Sequence, residues 1–553
     1  MSRRLLALYG AITVLLAYPL SIDPARRVLS TSPDTDLFMW ILAWDAHALA
    51  TSPLQIFNAN IYYPQALTLA YSENLIGSSL IAAPVLWMTG NPVLAMNLVA
   101  LVSCVLNAMG AVSLARRLGI TTTGATLSGL IYAFAPPLFL RLDQLHLVAL
   151  PWMPFALGRF HSYLDRGRRR DLWLTILFFV LQALTSGHGA VFAAVSLGIV
   201  FVWRLSWGAR IDFLRLGRDI GWQGILIATP LMASIVPYVN VQREMGLRRT
   251  LEDWAVPASS FLASPSHAQV ALLSLFLPDA RINETAGAYL FPGVLPIVLA
   301  ALAFLLPRPL ESSAGSASLR TRLADPRVCY AAITLLALWL AAGPPIGLWP
   351  FVYWLPGLNF IRAPSRFVLL AVLGLAMLAG FGFDRLSSRV SGSRGLAVAV
   401  AVLLLAEFAA FPLGTEPYRL DIPPADRWLA TQPAPFVVAE LPLADSRDIN
   451  RRERRQTLFM LHSTAHWQKT VHGYSGVRPA LHSELYQLLL GFPDDRSVSS
   501  LENLGVTFVV VHRDLYAADE WAAVDARLHA FAERLSLVHE DDSGRVYRLQ
   551  KGR

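Results

Sequence analysis

Apolar stretches of roughly membrane-spanning length recur along the first three quarters of the chain, separated by short polar connections. A helix that crosses a bilayer needs about 20 mainly apolar residues. Stretches near 5–22, 93–115, 123–140, 146–162, 172–186, 190–206, 219–239, 289–306, 327–343, 364–384 and 395–413 have that character. One further apolar stretch, 75–90, is short and contains Gly77 and Pro84. From residue 415 the pattern changes. Phe436-Val-Val-Ala-Glu-Leu and Val506-Thr-Phe-Val-Val-Val-His read as buried strands, 515–535 as an amphipathic helix, and Gly544-Arg-Val-Tyr-Arg-Leu as an edge strand. The expected architecture is a polytopic α-helical membrane domain over 1–414, with about eleven transmembrane helices, followed by a soluble α/β domain over 415–553.

Arginine placement sets the direction of those spans. If 75–90 does not cross, the inside connections carry Arg116 and Arg117, then Arg166, Arg168, Arg169 and Arg170, then Arg210, Arg215 and Arg218. The last two carry Arg308, Arg320, Arg322 and Arg327, and finally Arg385, Arg389 and Arg394. All five are basic, as the positive-inside rule requires. A crossing at 75–90 would turn every one of them outward, so that stretch is expected to be surface-lying or re-entrant. Arg26 and Arg27 then fall outside as a minor exception. The N-terminus is expected inside and the tail outside, with two substantial outer loops at 23–92 and 240–288. Met1-Ser-Arg-Arg before an apolar run resembles a signal peptide. No clear small-x-small cleavage site follows it, and we read 5–22 as an uncleaved first span.

Composition agrees with this picture. Of 553 residues, 55% are hydrophobic and only 15% charged, where a soluble chain would carry roughly a quarter charged. Mean hydropathy is +0.47. The net charge of +8 comes from arginines scattered between apolar stretches, which marks topology rather than nucleic-acid binding. Cys104 and Cys329 lie in apolar stretches without metal-ligand companions at motif spacing, which leaves disulfide and zinc-motif readings unsupported. No P-loop, dinucleotide fingerprint or zinc-protease motif is present.

The polar residues that need explaining gather on the outer face. In the first outer loop, Asp34 and Asp36 precede a helical pattern with Trp40, Trp44 and His47 along one side. Either aspartate reads as a helix cap or as a general base whose pKa partial desolvation would raise. Glu73, before the 75–90 stretch, is a cap or a functional carboxylate. His146 and His188 sit in outer turns at membrane depth, where retained polar groups usually face a cavity. Arg362 and Arg366, in Ile361-Arg-Ala-Pro-Ser-Arg-Phe, flank the outer end of a span where the positive-inside rule disfavours arginine. They read as a phosphate clamp or as partners of an acid such as Asp36 or Glu252. In the second outer loop, Arg249 and Glu252 belong to a mixed-charge segment that is a solvated surface or a cover over a substrate cavity. In the tail, His466, Trp467, His472 and Tyr474 form an aromatic-rich polar cluster, suited to acceptor-glycan stacking or to docking the domain.

The pattern Asp36-x3-Trp40-x3-Trp44-x2-His47, Tyr63-Pro64, Leu69-Ala-Tyr-Ser-Glu73, His146-x4-Pro-Trp-Met-Pro, Phe291-Pro-Gly and Arg362-x-Pro-x-Arg366-Phe resembles bacterial GT-C-type membrane glycosyltransferases. More narrowly, it is similar to a bacterial group whose periplasmic tail carries a segment like His466-Trp-Gln-Lys-Thr-Val-His-Gly-Tyr-Ser-Gly476. The similarity runs over most of the chain. It implies a GT-C-like core in the bacterial inner membrane with a periplasmic C-terminal domain. It also implies a polyprenyl-phosphate sugar donor and an acidic residue of the first outer loop as catalytic base. Asp36 corresponds by position. The adjacent acidic pair common in several such families is replaced by Asp34 and Asp36 around Thr35, which leaves open which is the base and whether a divalent metal (Mg or Mn) takes part. The acceptor would be an envelope glycan, lipid or protein, with no role for nucleic acid. Two other classes remain open, a lipid or polysaccharide transporter and a non-catalytic envelope assembly scaffold. The sequence shows neither broken helices in repeated halves nor midplane polarity, which a transporter would want.

Overall fold

The computed structural model describes residues 2–207, 212–246, 256–275, 289–307, 318–355, 358, 361–445 and 447–550. The chain divides into two compact units. One comprises Met1–Pro24, Asn97–Ile235 and Leu247–Thr415, the other Ala25–Met96, Val236–Gly246 and Glu416–Arg553.

Four helices among the described residues are long and apolar enough to cross a membrane: Pro92–Arg117, Gly187–Trp207, Phe213–Met245 and Pro364–Ser387. Ile76–Thr89, Val294–Leu305 and Pro326–Ala341 are apolar but shorter. Helices also occupy the other stretches read from the sequence, among them Arg3–Leu16, Thr122–Phe134, Trp152–Arg166, Arg169–Thr185 and Ser393–Phe408.

The first unit is built around Val368–Ser387. The apolar window of that helix is 89% buried, whereas that of Phe213–Met245 is 17% buried and exposes Ile225, Leu226 and Met232. In water such an apolar surface would be costly, and in lipid it is the expected exterior. Val294–Leu305, Pro326–Ala341 and Thr122–Phe134 pack on the central helix. Glycines permit the approach: a Cβ at Gly374 would stand 3.0 Å from the Tyr330 carbonyl, and one at Gly382 would overlap the Leu299 carbonyl. Close backbone contact of this kind replaces the hydrophobic gain that helices in lipid lack.

The arginine-bearing connections share one end of this bundle. Arg117 and Arg204 both pair with Asp165, at 2.5 and 2.8 Å. Arg169 and Arg215 share Asp219, at 2.9 and 3.5 Å. The Thr121 amide donates to Asp384 at 2.7 Å, and Arg389 donates to the Pro307 carbonyl at 3.0 Å. Residues from all five basic connections are thus linked to one another.

In the second unit β3 (Val437–Leu441), β4 (Lys469–Thr470), β5 (Phe508–His512), β6 (Leu535–Glu540) and β7 (Gly544–Leu549) form a five-stranded sheet in the order β4-β3-β5-β7-β6. β3 lies parallel to β4 and β5, and β7 is antiparallel to β5 and β6. The strand expected at the edge, β7, is interior because β6 pairs outside it. β6 escapes a sequence reading because it leaves Leu537 and Val538 exposed. The two sheet faces carry separate clusters, Val437, Ala439, Leu441, Val509 and Val511 on one and Val438, Phe508, Val510 and Val546 on the other.

Ala25–Met96, which holds most of the loop expected outside, belongs to this unit. The Thr470 amide donates to the Asn60 carbonyl at 2.8 Å, and the Tyr63 amide returns to the Thr470 carbonyl at 2.9 Å, so loop backbone covers the open edge of β4. β1 (Arg27–Val28) pairs antiparallel with β2 (Glu416–Pro417).

Candidate functional site

In the second unit, helix Pro33–Thr51 begins with proline at its first turn, and the Ser32 hydroxyl accepts from the Thr35 amide at 3.2 Å. The cap is therefore Ser32. Asp34 and Asp36 lie inside the first turn, which corrects the capping alternative for both. The two carboxylates have different partners. Asp34 accepts from the Tyr474 hydroxyl at 2.8 Å. Asp36 is fully buried and accepts from the Tyr418 hydroxyl at 2.6 Å and the Thr457 hydroxyl at 2.9 Å, with Arg454 Nε 3.8 Å away. Burial pushes the Asp36 carboxyl above its ordinary value, and the two hydroxyls and the arginine charge pull it back.

One turn further along, Trp40 and Trp44 stack at 6.3 Å, and the His47 ring lies flat on Trp467 at 4.3 Å and 11°. Burial lowers the His47 pKa, favouring the neutral imidazole. Trp467 has φ 57°, a left-handed conformation uncommon for a bulky side chain and costing about 1–2 kcal/mol. His47, Trp467 and Tyr418 line a cavity of about 1180 Å³, together with Arg26, Arg419 and Trp87. Tyr418 thus touches both Asp36 and the cavity. Trp40 is buried away from it. Next to Glu73, the Asn74 side chain accepts from the Ile76 amide at 3.1 Å at the start of Ile76–Thr89.

In the first unit, His146, His188 and Arg366 meet. Arg366 Nη1 is 2.7 Å from His188 Nε2, and the two histidine rings are 5.1 Å apart. His188 lies in the first turn of Gly187–Trp207, and Arg366 lies in the turn Pro364–Phe367 that leads into Val368–Ser387. His188 thus lies at the N-terminus of one helix and Arg366 just before that of another, ends that carry partial positive charge and, with the guanidinium, suit an anion. Arg362 is exposed nearby in sequence. Arg249 and Glu252 lie outside the described residues.

Of the four tail residues, His466 and His472 are buried. His466 Nδ1 accepts from the Gln468 amide at 3.0 Å, and His472 Nε2 accepts from the Glu440 amide at 2.6 Å. Tyr474 is committed to Asp34, and Trp467 alone of the four lines the cavity. The sequence reading missed Tyr418, Thr457 and Arg419. For Arg26 the sequence reading had a signal, an arginine on the face expected outside, where arginine is disfavoured. It also missed Asp426, Glu440, His462 and His512, whose ligand atoms lie within 4.8 Å of one another and could hold a metal ion. They come from four elements and form no spacing motif.

No protein-family model and no curated protein matches the chain. Among solved structures, the Archaeoglobus fulgidus oligosaccharyltransferase complex with Zn and sulfate aligns at 12% identity and a TM-score of 0.49, covering 98% of this chain and 72% of that one. The archaeal oligosaccharyltransferase AglB from A. fulgidus, in complex with an inhibitory peptide and a dolichol-phosphate, aligns at 12% identity and 0.47, covering 99% and 74%. ArnT from Cupriavidus metallidurans bound to undecaprenyl phosphate aligns at 12% identity and 0.42, covering 99% and 97%. At these scores the likenesses carry no argument about chemistry.

Proposed function

We propose that the chain is an inverting membrane glycosyltransferase of the bacterial inner membrane. It moves a sugar from a polyprenyl-phosphate donor to an envelope glycan, lipid or protein acceptor on the periplasmic face. The observation that carries this reading is the meeting of His146, His188 and Arg366 at two helix N-termini. A lipid phosphate is a good leaving group, so an enzyme using it needs charge stabilisation and a base rather than a nucleotide. Arg366 and Arg362 are the groups proposed to hold the donor phosphate. Asp36 is the proposed base, with Asp34 as the alternative. It removes the acceptor hydroxyl proton, the acceptor oxygen bonds to the anomeric carbon, and the carbon–phosphate-oxygen bond breaks to release polyprenyl phosphate.

One observation favours a second reading, a non-catalytic scaffold. The tail answers both Asp36 oxygens, as a purely structural tie would. Full-length protein in nanodiscs, given a panel of labelled polyprenyl-phosphate sugars and a membrane extract as acceptor, separates the two. The expected result is release of polyprenyl phosphate, lost about 100-fold or more in Asp36→Asn with membrane insertion unchanged. Lack of donor consumption, with a lowered Tm in Asp36→Asn, would leave the scaffold. Movement of the intact lipid across the bilayer would leave a transporter.

A further inference from the structure

Glu440 and His512 lie on the same sheet face, because Glu440 on β3 registers with Val510 on β5 and His512 is two residues further on. That face is covered by helix Pro424–Leu429, which brings Asp426, while His462 ends helix Ile449–His462. Asp426 and Glu440 are fully buried, and His512 and His462 nearly so. Glu440 Oε2 lies 2.9 Å from both His462 Nδ1 and His512 Nε2. Asp426 Oδ2 is 3.8 Å from His462 Nδ1. Both Asp426 oxygens and Glu440 Oε1 lack a hydrogen-bond partner among the described residues.

Hydrogen bonding alone leaves this cluster unsatisfied. Three of the four carboxylate oxygens in this apolar interior have no donor among the described residues, which buried polar groups rarely tolerate. His466 Nε2, also without a partner, stands 3.8 Å from Asp426 Oδ1, beyond hydrogen-bond reach. A divalent ion between the carboxylates would answer their unpaired oxygens. Two imidazole nitrogens and two carboxylate oxygens are ligand types that zinc takes, with bonds of about 2.0–2.2 Å, and four ligands fill its coordination. Ligand atoms within 4.8 Å of one another need only small shifts to reach it. The two carboxylate charges would cancel that of the ion in a site closed to water.

We propose that Asp426, Glu440, His462 and His512 hold a structural zinc ion in the second unit. The ion ties the Pro424–Leu429 helix and the end of Ile449–His462 to the sheet. The proposal does not depend on the glycosyltransferase reading, and its test uses no sugar.

Full-length protein in detergent, dialysed against metal-free buffer, should retain about one zinc per chain by mass spectrometry, and a strong chelator should lower its Tm. Asp426→Asn and His512→Gln should each retain less than about a tenth of that metal. Because either variant can unfold for other reasons, the chelated wild-type chain is titrated with cobalt. Visible bands of a tetrahedral cobalt ion, displaced by zinc and absent in Asp426→Asn, are expected. Wild-type protein without zinc whose Tm responds to neither chelator nor added zinc would overturn the proposal. So would full zinc retention in a folded Asp426→Asn/His512→Gln chain.

Discussion

A carboxylate without solvent contact needs its lone pairs answered, and at Asp36 the answer comes from the Tyr418 and Thr457 hydroxyls. Tyr418→Phe removes the shorter of these bonds and leaves the ring in place. Losing a hydrogen bond to a buried charged group costs about 1–3 kcal/mol, so the variant should melt at lower temperature. The lost bond also favoured the ionised form, so the Asp36 pKa rises further. If Asp36 is the base, its reactive fraction at a given pH falls, and the acid limb of the pH–activity profile moves to higher pH. A Tm and an acid limb both matching wild type would remove Tyr418 from the scheme. The aspartates themselves were legible from their position before an aromatic helix pattern. Their partners were not, because Tyr418 and Thr457 stand hundreds of residues away and nothing local marks either one. The same is true of Asp426, Glu440, His462 and His512, which only strand register and a helix end bring together.

Helices of the membrane unit were readable because burial in lipid demands long apolar runs. Their packing was not, since it rests on which glycines meet which backbones. Gly382 faces the Leu299 carbonyl so closely that any side chain must push Val294–Leu305 away, whereas Gly198 has open space around it. Gly382→Leu should therefore destabilise the protein by about 1–3 kcal/mol or more, read as loss of folded protein on heating in detergent. Gly198→Leu should leave it near wild type. Equal effects of the two substitutions would mean that the central helix does not depend on this contact. In the tail, strands made of β-branched runs were clear, such as Val509-Val-Val, and they are the buried β3 and β5. The edge was misplaced because exposed Leu537 and Val538 disguise the strand that covers β7.

Orientation is a property of the whole molecule, and two independent lines bear on it. The arginine count per connection comes from sequence alone. In the folded chain these connections also share carboxylates and carbonyls at one end of the bundle. His188 and Arg366 lie at the opposite ends of two of the same helices, Gly187–Trp207 and Val368–Ser387. Pairing with Asp165 and Asp219 does not weaken the topological signal, because acidic residues contribute little to it. The arginine-rich end should therefore face the cytoplasm. Alkaline phosphatase, which needs an oxidising compartment, should be active when fused after Gln550 and inactive when fused after Arg389. A green fluorescent protein that folds only in the cytoplasm should give the reverse at both sites. Phosphatase activity at Arg389 but not at Gln550 would turn the bundle over, put the tail in the cytoplasm and remove the periplasmic donor and acceptor from consideration. Equal activity at both sites would mean that Ser393–Phe408 does not cross, and the count of spans would have to be redrawn from there.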